Sequence, residues 1–216
     1  MVEVACLLNK PVDSNCFVIY DKTKGHGCIV VDPGSNNDEQ LFTFFEKEQL
    51  LPQYIILTHE HFDHCWGVNE LVEKYHIPII CSALCAECIQ FEKRNCSVFY
   101  DNKNSFVITS KTISVESLDY VLPFCDTEIR FFKSLGHTNA SVCFTIDQSL
   151  FTGDTLIKDL RTVTKLPTGS MTKLQETKEV LQDLQGKGYK VYPGHGDMFE
   201  LDGYDLELMF KGDIPK

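Results

Sequence analysis

Long apolar runs are missing from this 216-residue chain. Its densest apolar stretches, such as Tyr54-Ile55-Ile56-Leu57, are far too short to cross a bilayer, so no membrane partner is expected. No dense Lys/Arg run occurs, and 31 acids against 20 bases leave a net charge of −11. A surface of that sign repels phosphate backbones, which argues against a nucleic-acid partner. The first residues, Met1-Val2-Glu3-Val4-Ala5-Cys6, carry no basic region followed by an apolar stretch, so no secretory signal is read and a cytoplasmic protein is expected. Internal repeats and low-complexity linkers are lacking too, and the Gly and Pro residues are scattered at turns. With 43% hydrophobic and 24% charged residues, wholesale disorder is excluded and a sizeable core is within reach. One domain over residues 1–216 is the expectation.

Ten cysteines are present. In a reduced compartment they are read as packing residues rather than disulfides. Cys81, Cys85 and Cys88 recur at i, i+4 and i+7, the spacing of one buried helix face. A second metal site would need a matching pair at finger-like spacing, which does not follow.

Short β runs open the chain. Residues 16–20 and 28–31 read as a hairpin ending at Asp32-Pro33-Gly34. Helical spacing covers 38–49, and a buried-looking strand follows at 54–57. Helices are expected near 67–75, 82–93 and 172–185, strands at 77–81, 141–146, 150–151 and 190–192, and a β-rich stretch over 97–130. Strands and helices mix without strict alternation, so an α+β fold of two sheets covered by helices fits better than a doubly wound sheet.

The chemistry is concentrated in the histidines. Three of seven fall within Thr58-His59-Glu60-His61-Phe62-Asp63-His64. If the chain leaves its strand still extended, His59 and His61 point to one side, and a turn into a helix at Asp63-His64 brings two more ligands round. Neutral imidazoles with a carboxylate suit zinc or iron. Three later residues share this character: His137 in Leu135-Gly136-His137, Asp154 in Thr152-Gly153-Asp154, and His195 in Pro193-Gly194-His195-Gly196. Each follows a strand and sits beside glycine, where side chains can converge on one rim. His26 and His76 fit no such pattern and read as surface residues.

These motifs, with Asn15-Cys16 and Val31-Asp32-Pro33-Gly34, resemble the metallo-β-lactamase superfamily, colinearly over most of the chain. The stretch 152–170, with Arg161 and Leu166-Pro167-Thr168-Gly169, is similar to its glyoxalase II-like (hydroxyacylglutathione hydrolase-like) members. The resemblance implies a four-layer αβ/βα sandwich with two divalent metal ions, zinc first, iron or manganese also suited. It implies one ion on His59, His61 and His137, the other on Asp63, His64 and His195, with Asp154 bridging. A hydroxide held between the ions would attack a thioester or small ester carbonyl, and Asp63 would orient it. The substrate would be a small molecule, and Arg161 or Lys165 is read as a contact for its anionic part.

Departures from the family pattern are few. Asn139-Ala140-Ser141 follows Gly136-His137-Thr138 where Pro-Gly-Ser is common, which alters the turn and not the ligand. Cys65-Trp66-Gly67 stands where small residues are usual, so Trp66 either packs or shapes the mouth of the site. No counterpart of the C-terminal helical region of longer glyoxalase II enzymes is expected after His195. A second reading is a mononuclear iron persulfide dioxygenase using His59, His137 and Asp154. Asp154 stands where true β-lactamases commonly carry Cys, which argues against antibiotic hydrolysis.

Overall fold

A computed structural model describes residues 1–115 and 120–213. The chain forms two compact units, Met1–Val115 and Glu116–Lys216, each with its own six-stranded sheet.

The first unit runs β1 (Glu3–Leu8), β2 (Asn15–Tyr20), β3 (Gly27–Val31), α1 (Glu39–Glu48), β4 (Leu51–Ile56), α2 (Phe62–Cys65), α3 (Val68–Tyr75), β5 (Ile79–Cys81), α4 (Ala83–Cys88), α5 (Ser97–Tyr100) and β6 (Thr112–Ser114). Its strands lie in chain order across the sheet. β1, β2 and β3 pair antiparallel, as a hairpin reading of 16–31 requires, and β3 through β6 pair parallel. Parallel neighbours need crossovers, and the helices supply them. β2 is buried along its whole length and β3 over its last four residues, which is why they read as continuous apolar runs. Helix α1 starts where the Asp38 carboxylate accepts from the Leu41 amide at 3.0 Å, and it buries Leu41 and Phe45, one turn apart.

The second unit runs β7 (Val121–Phe124), β8 (Thr127–Lys133), β9 (Val142–Ile146), β10 (Ser149–Gly153), α6 (Met171–Gln182), β11 (Lys190–Pro193), β12 (Phe199–Glu200) and α7 (Leu208–Lys211). β7 to β10 pair antiparallel in sequence, β10 and β11 pair parallel across α6, and β12 closes the edge antiparallel. Phe131, Phe144, Phe151 and Tyr192 form a ring ladder across β8 to β11, with centroids 5.3, 4.6 and 4.9 Å apart. Such cross-strand aromatic pairs fix register as well as burying area.

Three expectations are corrected. The helix expected over 82–93 ends at Cys88, where Ile89 caps it. The stretch 97–130 is not uniformly β-rich: it opens with α5, and extended pairing begins only at Thr112. Its residues 116–119 lie outside the described residues. Cys81 ends β5 while Cys85 and Cys88 lie in α4, so the three are not on one helix face, although all are buried. Ser82, which accepts from the Cys85 amide at 3.0 Å, starts the helix between them. Burial pushes the Cys65 thiol well above its ordinary value, and the Cys28 and Cys143 thiols up to about 12. Thiols so protonated pack as small apolar groups and are poor nucleophiles.

Candidate metal centre

In the first unit the donors leave the carboxyl ends of adjacent parallel strands. Val31 of β3 pairs with Ile56 of β4. Asp32 and Thr58-His59 follow within two or three residues, at the rim where open sheets place their ligands. The chain then turns into α2 with extended His61 at its N-cap, and His64 returns one turn later. The rings of His59 and His61 lie 4.7 Å apart between centroids, and those of His59 and His64 lie 4.3 Å apart. His59, His61 and His64 are buried, and the Asp63 carboxylate lies 3.7 Å from His64 Nε2.

Proton counting fixes the tautomers. The Asp32 carboxylate, 2% exposed, accepts from the Thr58 amide at 2.8 Å and the Thr58 hydroxyl at 2.6 Å. A hydroxyl has a single proton, so toward His59 Nδ1, 3.0 Å away, Thr58 Oγ1 can only accept. His59 is therefore protonated on Nδ1, and in the neutral ring it presents an Nε2 lone pair. His64 Nδ1 faces Asp32 Oδ2 at 3.0 Å and must donate to it, again leaving Nε2 as the ligand atom. Carboxylates behind metal-binding imidazoles orient the ring and raise its basicity.

The same rim is held from below by Asn9, whose side-chain amide donates to the Asp32 carbonyl at 3.0 Å and to the Ser14 hydroxyl at 2.9 Å. The Ser14 hydroxyl donates in turn to the Asp63 carbonyl at 2.5 Å. Gly34 passes so close to α2 that a Cβ there would come within 1.7 Å of that carbonyl oxygen.

In the second unit β8, β10 and β11 run the same way, so the segments that follow them emerge at one rim of the sheet. They carry His137, Asp154 and His195. Asp154 Oδ2 lies 3.6 Å from His137 Nε2 and 3.5 Å from His195 Nε2. His137 Nδ1 donates to the Val163 carbonyl at 2.8 Å, so in the neutral ring Nε2 is the lone-pair nitrogen, facing the carboxylate. The turn before His137 depends on Gly136, at φ +142°, where a Cβ would meet the Leu174 backbone at 2.7 Å. Arg161 and Lys165 are exposed on the loop that supplies the Val163 carbonyl.

The two units thus bring together two groups of the expected residues: His59, His61, Asp63 and His64 in one, and His137, Asp154 and His195 in the other. In the first, ligand atoms of Asp32, His59 and His64 lie within 4.8 Å of one another, with Asp32 as the acceptor behind the imidazoles. Buried imidazole nitrogens and carboxylates crowded this closely are costly unless a cation is shared among them, so the donor set fits a divalent metal. His26 and His76 are exposed and stand apart from both groups. Asp32 and Thr58 are the functional residues that spacing alone did not identify. The only signal was Asp-Pro-Gly at a strand end, and its role depends on β3 and β4 being neighbours.

Comparison with known proteins agrees. Residues 9–86 match the model of the Metallo-beta-lactamase superfamily. A hydroxyacylglutathione hydrolase of Buchnera aphidicola is 27% identical over 177 residues, covering 74% of this chain and 60% of the relative. The chain therefore spans less than two thirds of that protein. A probable polyketide biosynthesis zinc-dependent hydrolase of Bacillus subtilis is 26% identical over 199 residues, covering 92% of this chain and 80% of the relative. The crystal structure of the BLEG-1 B3 metallo-beta-lactamase superposes with a TM-score of 0.83 at 24% identity, covering 92% of this chain and 94% of the other. The fold is the metallo-β-lactamase fold. The chain is thus similar to metal-dependent hydrolases of the metallo-β-lactamase superfamily, and its first unit carries the match to the family model.

Proposed function

We propose that the chain is a dinuclear hydrolase of thioesters and related small esters. The observation that carries the reading is Asp154 Oδ2, which two imidazole Nε2 atoms approach almost equally, at 3.6 and 3.5 Å. A carboxylate oxygen so placed suits a ligand shared between two cations. On this reading His59, His61 and His137 hold one ion, and Asp63, His64 and His195 the other. Zinc or iron matches these donors. Bound divalent ions supply a water acidified toward neutrality and a Lewis acid for the carbonyl.

The remaining work falls to the chain. Asp32, Thr58 and the Val163 carbonyl keep His64, His59 and His137 in the ligating tautomer. Ser14 and Gly34 fix the backbone of Asp63, whose carboxylate would orient the attacking water. Exposed Arg161 and Lys165 are offered to the anionic part of a small-molecule substrate. A thiolate, with a pKa of about 8 to 9, departs without prior protonation, whereas an amide nitrogen needs a general acid. With seven side chains committed to metal, the motifs assign no residue to that role.

The test is a panel of small thioesters, oxygen esters and β-lactams assayed with metal-loaded protein. Thioesters should be turned over with a kcat/KM at least about 100-fold above that for β-lactams, in line with loss of one general acid. Equal values for both, or oxygen consumption with a persulfide and no hydrolysis, would overturn the reading.

A further inference from the structure

Phe62 lies between His61 and Asp63 in the chain, so its Cα is held about 3.8 Å from each of theirs. It is also one ring of a cluster the metal site does not use. Phe62 stacks on Tyr100 at 4.6 Å and meets Trp66, four residues on, edge to face at 5.7 Å. Trp66 meets Tyr100 edge to face at 5.9 Å and stacks on Phe106 at 5.8 Å with a 16° tilt. The segment carrying the two outer rings is tied down at both ends by buried Asn95. Its side-chain amide donates to the Phe106 carbonyl at 2.8 Å, and its side-chain oxygen accepts from the Ser97 amide at 2.9 Å.

Packing within the protein leaves this cluster partly open. Here Tyr100 is 48% exposed, its neighbour Phe99 is 70% exposed, and Phe62, Trp66 and Phe106 are each half-buried. A contiguous aromatic surface kept open beside metal donors is the kind of patch that marks a ligand. Flat rings presented edge-on and face-on accept another ring at about 4.5 to 7 Å, a better match than a short alkyl chain provides.

We propose that Phe62, Trp66, Tyr100 and Phe106 form an acyl-binding wall beside the His59–His64 donors of the first unit, selecting esters and thioesters whose acyl group is aromatic. The inference rests on the hydrolase reading, and it adds the class of acyl group.

Trp66 is the single tryptophan of the chain, so intrinsic indole fluorescence reports on the wall directly. Metal-loaded protein is titrated with phenylacetate and, separately, with acetate as the carboxylate control. Phenylacetate should change Trp66 emission saturably and acetate should not. Tyr100→Ala should weaken phenylacetate binding about tenfold, the scale on which a lost apolar contact discriminates ligands, and Tyr100→Phe should restore it. In the kinetic arm, the kcat/KM ratio for S-phenylacetyl over S-acetyl N-acetylcysteamine should be at least about tenfold in the parent, fall toward unity in Tyr100→Ala and recover in Tyr100→Phe. Equal emission changes for the two acids, or a ratio near unity in the parent, would overturn the wall while leaving the hydrolase intact. Hydrolysis of neither thioester, with the phenylacetate signal present and Tyr100-dependent, would overturn the hydrolase and leave an aryl-binding wall.

Discussion

A single hydroxyl proton decides the state of the first unit's donors. Thr58 gives it to Asp32, so His59 must donate from Nδ1, and the same carboxylate forces His64 to do likewise. Asp32→Ala would remove the acceptor for three buried donors at once and free both rings. Metal affinity, measured by chelator competition, should fall by about 10- to 100-fold, the usual consequence of losing a carboxylate behind a ligating histidine. Unchanged affinity would show that the two rings are held by other means. The run from His59 to His64 was legible because neighbouring ligands leave a pattern in spacing. Asp32 was not, because its meaning comes from a strand pairing that no local pattern records. Cys81 misled for a related reason: i, i+4, i+7 spacing is the same whether or not a strand ends inside it.

At the scale of elements, the site is a consequence of strand direction. Parallel β3 and β4 deliver Asp32 and the histidine run to one rim, and β8, β10 and β11, all pointing one way, deliver His137, Asp154 and His195 to another. The turn geometry is bought with glycine. Gly34→Ala would drive a Cβ into the Asp63 carbonyl, a backbone atom that cannot swing aside as a side chain would. Overpacking of this kind costs about 1 to 3 kcal/mol, and thermal unfolding should report a loss of that size together with weakened metal binding. A variant as stable as the parent, with full metal affinity, would contradict the tight approach of the β3 loop to α2. Periodicity located most helices and strands to within a few residues, since α1, α3 and α6 each bury one face of a regular repeat. It failed between Ile89 and Ile108, where short turns and side-chain bonds from Asn95 and Ser97, not a repeat, set the path.

At the scale of the molecule, two sheets, each complete within its own unit, carry four and three of the seven expected ligands. Among the described residues no helix is long and apolar enough to cross a membrane. The excess of acids, 31 against 20, is the other whole-molecule feature that bound cations would partly offset. The central claim is the number of those cations. Elemental analysis of protein saturated with zinc and freed of excess metal should give two ions per chain, and Asp154→Ala should retain at most one. One ion per chain at saturation in the parent, with no further binding as zinc is raised, would contradict it.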